Sequence, residues 1–181
     1  MSEGELLQIE KSRSLDINEK VYFDIIKKKT ASLISSCCKI AATSVTKQKK
    51  IIESVSRIGE NIGIAFQIKD DLFDYGKKKI GKPRGIDIKE KKLTLPLIYT
   101  LNEVDKNKRK WLIKSIKKYS KDKSRVKEII SLVKDTGGLN YAIKKMNYYH
   151  KIALYDLRKL PDNQFKESLI DMINYVIERD F

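Results

Sequence analysis

The 181-residue sequence predicts an all-α fold. Three observations carry that expectation. Apolar residues recur at helical spacing nearly everywhere, and no segment offers the period-two alternation of a half-buried strand. Gly137-Gly138 and Pro161-Asp162 punctuate the periodic runs, as helix joints do.

Taken in order, a short first helix covers about 5–13. Asp16 and Glu19 form a D-x-x-E capping box, which satisfies free N–H groups at a helix start and opens a long helix to about residue 44. Thr46 begins the next helix, which runs to about residue 75. The irregular segment 76–93 holds Gly76, Gly81, Pro83 and Gly85, which license tight turns. Thr94 is placed to cap the following helix, with Pro96 tolerated in its first turn. Amphipathic segments at about 105–119, 122–136, 138–160 and 162–179 follow, with no internal repeat, linker or composition shift.

The formal net charge is +15, which suggests nucleic acid, anionic lipid or phosphorylated ligands as partners. Most of the excess is lysine spread along helix faces, as in KQKK and SIKKYSKDKS, with few arginines and no nucleic-acid motif. A solvated lysine surface explains it, and no nucleic-acid partner is expected. A basic helical protein that binds RNA or a lipid surface is the alternative that charge alone suggests. No apolar run approaches the roughly 20 residues that span a bilayer, and the start MSEGELLQIEK lacks a signal-peptide core, so a cytoplasmic protein without a transmembrane segment is expected. Adjacent Cys37 and Cys38 read as small core fillers in a reducing compartment. His150 reads as a packed or surface residue, Tyr148, Tyr149, Tyr155 and Tyr175 as core or dimer-edge side chains, and Arg179 as part of an exposed tail in preference to a side chain closing over a diphosphate.

The informative stretch is FQIKDDLFDYGKKKIGKPRGID, residues 66–87. Gln67, Asp70, Asp71 and Asp74 stand at i, i+3, i+4 and i+7 on one helix face, and Gly59 and Gly63 extend the same stripe upstream. The helix is otherwise apolar round most of its circumference, which marks it as buried. The stripe therefore faces an internal cavity with room made by the glycines. Carboxylates at a helix C-terminus oppose the macrodipole and repel one another, so they need protonation, pairing or a metal. Oxygen-only ligands favour Mg²⁺ or Ca²⁺. The EF-hand register fails at Leu72, and Mg²⁺ commonly binds through a few carboxylates plus substrate phosphates. Asp70, Asp71, Asp74, Lys82 and Lys92 then make sense as a magnesium and diphosphate clamp. From the residues alone, an exposed Asp/Lys helix end with surface pairs of under about 1 kcal/mol each stands beside that reading.

The string GIAFQIKDDLFDYGKKKIGKPRGIDIKEKKLTLPLIYTL resembles the second aspartate-rich region of the trans-isoprenyl (polyprenyl) diphosphate synthases: F-Q-x-x-D-D-x-x-D, then G-K-x-x-G-x-D, then K-x-T-L-P. GELLQIE and KKKTASLISSCCKIAA resemble the family's G-E-x-x-Q and K-T-A-x-L segments, and GGLNYAIKKMNYYHKIAL and YVIERDF are also similar. The resemblance implies an isoprenoid synthase-type helical bundle, usually homodimeric, in which Mg²⁺ bridges carboxylates to an allylic diphosphate. That diphosphate leaves, the double bond of isopentenyl diphosphate attacks the allylic cation, and proton loss gives a longer trans product. Residue by residue it implies Asp70 as principal metal ligand, with Asp71 and Asp74 as direct or water-mediated ligands. Lys29, Lys82 and Lys92 would contact the allylic diphosphate, and Thr30 and Gln67 would line the reacting end.

The chain departs from the pattern in a slightly short loop between Asp74 and Lys82, and in Lys91, which stands where the family has glycine. It also lacks the first D-D-x-x-D, the neighbouring Arg pair and the isopentenyl diphosphate pocket, which the family places upstream of G-E-x-x-Q. The expectation is therefore the C-terminal half only, residues 1–181 being that part of a polyprenyl synthetase domain. Alone it would be inactive; it would act with a complementing N-terminal half or as a homodimer, with membrane contact through its product. A non-catalytic regulatory subunit is the alternative.

Overall fold

The computed structural model describes residues 2–15, 18–76 and 85–179. Among these every regular element is helical. The hub is α4 (Lys49–Phe73), flanked mainly by α9 (Gly138–Arg158) and α3 (Ser32–Val45), the helices it packs against most. Neighbours on several sides explain why Ile58, Ile62, Ile64, Ala65 and Ile68 of α4 are all buried.

The glycines of α4 do not open a cavity. A Cβ on Gly63 would lie 2.5 Å from Ala31 Cα, and one on Gly59 would lie 2.8 Å from Cys38 Sγ and 3.0 Å from the Ile34 carbonyl oxygen. Their missing side chains are filled by a neighbouring helix at close approach, which corrects the expectation of free space beside them.

That neighbour belongs to one continuous rod made of α2 (Glu19–Ile26), a π turn (Lys27–Ala31) and α3. A single long helix was expected here, and the extent agrees. The wider turn was not expected: the Ser32 N–H reaches back five residues to the Lys27 carbonyl. Asn18 caps α2 by accepting from the Val21 N–H at 2.9 Å, while Asp16 lies outside the described residues. Thr46 closes α3 instead of opening α4, its N–H bonding to the Ala42 carbonyl.

Ahead of the rod lies α1 (Ser2–Ser14), and after α4 come the single turn α5 (Ile86–Lys89) and α6 (Leu95–Glu103). Thr94 has the extended backbone of an N-cap, but its hydroxyl sits 2.7 Å from the Tyr75 hydroxyl and not on the helix N–H groups. A buried phenol needs a partner more than a helix end does, so the predicted side-chain cap is absent. The next helices, α7 (Lys106–Tyr119) and α8 (Lys123–Asp135), start at Asp105 and Asp122, each carboxylate accepting from the N–H groups two and three residues further on.

The main core joins α4 to α6, α7, α8 and α9 through Ile64, Ile68, Leu97, Ile98, Ile116, Ile129, Val133, Ala142 and Met146. A smaller core joins α4 and α9 to α10 (Gln164–Glu178) through Ile58, Ile62, Leu157 and Ile173. Lys166 is buried at that joint, its ammonium donating to the Arg158 and Leu160 carbonyls and to Asp162. His150 is buried too, with Nε2 3.1 Å from Asn174 Oδ1.

One sequence expectation fails on exposure. Cys37 is exposed and Cys38 half-buried, so neither is core filler, and both are free thiols. Tyr148, Tyr155 and Tyr175 are exposed, whereas Tyr149 packs on Phe23. No helix among the described residues is long and apolar enough to cross a membrane.

Candidate functional site

The C-terminal turn of α4 meets the segment around α5, α4 packs on the π turn, and α1 packs on that turn from elsewhere; every described candidate residue lies on α4, the π turn or the α5 segment. The aspartates do not act as a uniform stripe. Asp71 is buried: Oδ2 accepts from the Tyr22 hydroxyl at 2.7 Å and Oδ1 from Gln67 Nε2 at 3.1 Å. Gln67 Oε1 in turn accepts from the Thr30 hydroxyl at 2.8 Å. Tyr22 stands in α2 ahead of the π turn and Thr30 within it, so Asp71 and Gln67 fasten both to α4. Asp70, one residue earlier and about 100° round the helix, is ion-paired with Arg179. Asp74 Oδ1 accepts from the Ile86 N–H at 2.7 Å, which ties the end of α4 to α5.

Arg179 is the largest surprise. Its side chain is only 10% exposed, lies over the Phe66 ring at 4.0 Å from the centroid, and donates to the Phe66 carbonyl. The exposed-tail expectation is thus wrong: carboxylate and ring together outweigh solvation of the guanidinium.

A fourth acid completes the group. Asp87 receives Lys92 Nζ at 3.6 Å, and Lys92 also holds Glu90 at 2.5 Å. Burial raises the Asp87 carboxyl above its usual range, against the pull of Lys92 and, more weakly, of Lys29. The same causes act on its neighbours. Burial, then the Asp87 charge, pushes Asp71 up to about 7, while the Tyr22 and Gln67 donors oppose the rise. Burial and Asp87 push Asp74 up to about 6. Asp74 Oδ2 is buried with no hydrogen-bond partner among the described residues.

Of the residues the sequence singles out, the structure joins Thr30, Gln67 and Asp71 directly. Lys29 bonds Gln8 of α1 at 2.9 Å and lies 3.6 Å from Glu5. Between α1 and the turn at Glu90–Lys92 is an open groove of about 430 Å³ whose walls include Gln8, Arg13, Lys91 and Lys92. Lys82 lies outside the described residues. Among the described residues no three acidic, histidine or cysteine side chains form a ready-made metal cage. The donor set nevertheless fits a hard divalent cation: it is all oxygen, burial and the Asp87 charge raise the proton affinity of Asp71 and Asp74, and one buried Asp74 oxygen has no hydrogen-bond partner among the described residues.

A family profile described as polyprenyl synthetase matches residues 1–133. The chain belongs to the polyprenyl synthetase family. Among proteins similar to it, an all-trans-nonaprenyl-diphosphate synthase (geranyl-diphosphate specific) of Rhodobacter capsulatus is 30% identical over 99% of this chain and 55% of its own. A short chain isoprenyl diphosphate synthase of Methanothermobacter thermautotrophicus is 32% identical over 98% of this chain and 55% of its own. In fold, the crystal structure of a decaprenyl diphosphate synthase from Rhodobacter capsulatus superposes with a TM-score of 0.91 at 32% identity, covering 98% of this chain and 55% of that one. That of a geranylgeranyl pyrophosphate synthase from Bacteroides thetaiotaomicron gives 0.88 at 39% identity, covering 98% and 59%. The chain thus has the isoprenoid synthase helical fold but spans about half the length of the relatives it matches.

Within this polyprenyl synthetase chain, Lys91 takes φ 59°, the left-handed region that favours glycine. The resemblance places glycine there, and lysine bears the strain. Sequence reasoning missed Tyr22 and Asp87 as members of the site, and it weighed Arg179 as a closing residue but preferred an exposed tail. Asp87 had a signal, its place at the end of the G-x-D element, and Arg179 had its place in YVIERDF; Tyr22 had none, since only the fold carries it to α4 across 49 residues.

Proposed function

We propose that this chain furnishes the second aspartate-rich site of a Mg²⁺-dependent prenyltransferase that joins isopentenyl diphosphate to an allylic diphosphate and yields a longer trans-polyprenyl diphosphate. One observation carries the reading: buried Asp71 and half-buried Asp74 and Asp87 stand together with raised proton affinity, beside Lys29 and Lys92. Such a cluster is costly without a cation and suits one shared with an anion.

In this reading Asp70 and Asp74 would hold the metal, and Asp87, whose charge acts on Asp74, would be a further oxygen donor beside them. When bound, Mg²⁺ supplies Lewis-acid stabilisation of the departing diphosphate. Lys29, Lys92 and Lys82 bind diphosphate oxygens and neutralise the charge that develops on them. Thr30 and Gln67, already paired, line the reacting end. Asp71 has both oxygens engaged by Tyr22 and Gln67, and so acts as a positioning residue in place of the metal ligand the sequence suggested. Because the chain spans about half of its relatives, turnover requires the other half, whether from a longer parent, a companion chain or a larger assembly such as a homodimer. A cytoplasmic location follows from the same reading.

The test is thermal unfolding with Mg²⁺ and inorganic diphosphate together. A ligand bound only by the folded state at 100 times its Kd stabilises by about 2.7 kcal/mol. A shift that needs both ions and disappears in Asp70→Asn and Asp74→Asn is expected; no shift with both present would sink the proposal. The purified chain alone should show no turnover of isopentenyl diphosphate with any allylic primer.

A further inference from the structure

The positive charge of the chain is concentrated. Residues 106–127, the hairpin of α7 and the start of α8, hold eleven lysines and arginines against one acid, Asp122, and so supply two-thirds of the formal net charge of +15. All other residues together carry 28 cations and 23 acids, the mixture of signs that serves an ordinary solvated surface. The hairpin is built against its own electrostatics. Lys106, Lys110, Lys114 and Lys118 follow one another at i, i+4 along α7, all exposed, and each repels the next. Both helices begin with cations and no acid in the first turn, against the macrodipole, and the capping carboxylates of Asp105 and Asp122 offset this only in part. No described ion pair involves a lysine of the hairpin, whose one printed pair is Arg125 with Glu128.

The patch is firmly mounted and its other groups are engaged. Leu112, Ile116, Val126 and Ile129 bury the inner side, Ser120 donates to the Lys89 carbonyl at 3.3 Å, and Val126 closes on Gly85, where a Cβ would come within 2.4 Å of it. Arg109 donates to the Leu101 carbonyl at 3.2 Å. The Arg125 guanidinium lies over Trp111 and Tyr119, 5.3 and 5.7 Å from their ring centroids. The cations left without a described partner are therefore all lysines, point charges that lack the fork for reading a fixed phosphate. The hairpin's two rings serve Arg125 and do not stand free for bases to stack on, which disfavours a nucleic-acid strand. A broad anionic surface with mobile headgroups needs neither fork nor ring.

We propose that the lysine face of α7 and α8 holds the protein on anionic lipid bilayers by electrostatic attraction, without insertion. Tyr119 is the one large apolar side chain of the hairpin that is exposed, so the contact ends at the headgroups. The chain's own cations make this contact, with no prenyl product between protein and membrane, and no part of the metal and diphosphate reading enters it.

The test is sedimentation of the 181-residue chain with lipid vesicles, without Mg²⁺, diphosphate or any prenyl compound. The chain should bind vesicles of equal parts phosphatidylglycerol and phosphatidylcholine at about 0.1 M salt and come off at about 1 M, as the Debye length falls from about 10 to about 3 Å. Vesicles of phosphatidylcholine alone should not bind it. With each lysine near the surface contributing about fivefold, Lys110→Gln with Lys118→Gln should weaken binding about 30-fold. Lys110→Glu with Lys118→Glu should abolish it without lowering the melting midpoint, because like-charged i, i+4 neighbours become opposite ones. Lys47→Glu with Lys50→Glu makes the same change of net charge at the start of α4, the end away from α5, and should leave binding within about threefold. No sedimentation with the anionic vesicles, equal weakening by the Lys47 and Lys50 pair, binding that persists at high salt, or release from the vesicles by poly(U) at equal phosphate would each overturn the proposal.

Discussion

Asp71→Asn isolates the cost of the buried carboxylate. The folded protein binds the Asp71 proton up to about pH 7, through burial and the Asp87 charge, whereas the unfolded chain releases it near 3.8. Between those values the native state holds the extra proton, so stability is present at the acid end and is lost as pH rises through the window. At about 1.4 kcal/mol per pH unit the loss is at most about 4 kcal/mol, shared in part with Asp74 and Asp87, which feel the same field. Asparagine keeps the shape and has no such step. Urea unfolding followed by circular dichroism in EDTA, at about pH 4.5 and about pH 8, should therefore show the variant gaining several kcal/mol on wild type towards the higher pH. Effects from His150 and the surface acids cancel in the comparison. Parallel profiles within about 1 kcal/mol would refute the reasoning.

The other predictions concern backbone fit. Gly63→Ala places a methyl 2.5 Å from the Ala31 Cα, against backbone that cannot swing aside, and should cost about 1–3 kcal/mol in urea unfolding. Lys91→Gly relieves the left-handed strain at φ 59° and should stabilise by up to about 1 kcal/mol, less the added freedom of the unfolded chain. A loss at that position would show that the Lys91 side chain contributes more than its backbone costs.

The elements legible in the sequence are those set by local periodicity. From α6 onward each predicted helix matches an observed one within a few residues, because amphipathic spacing and the Asp105, Asp122 and Gly137 boundaries agree with the packing. Spacing also put Gln67 and Asp71 on one face, and they are bonded. It could not say that Asp70, its immediate neighbour, would turn to Arg179, since that choice depends on α10 returning to α4. Nor could it say that Gly59 and Gly63 admit a helix instead of leaving room. KKKTASL reads as ordinary helix, and the wide turn within it is held by Tyr22 and Thr30 reaching α4, contacts that one-dimensional pattern does not encode. The cysteines were misplaced for a related reason: apolar composition says that α3 can be buried, not which of its sides meets α4.

The π turn also has a bearing on engineering. One surplus residue is absorbed within Lys27–Ala31, so the rod is cut like two threads of different phase spliced on a single bolt. Trimming one codon there would let an ordinary spiral run through, while the upstream thread, with Tyr22, Ile25 and Ile26, would swing by roughly 100° against the downstream one. Grafts and circular permutants of this scaffold therefore have to carry the splice whole.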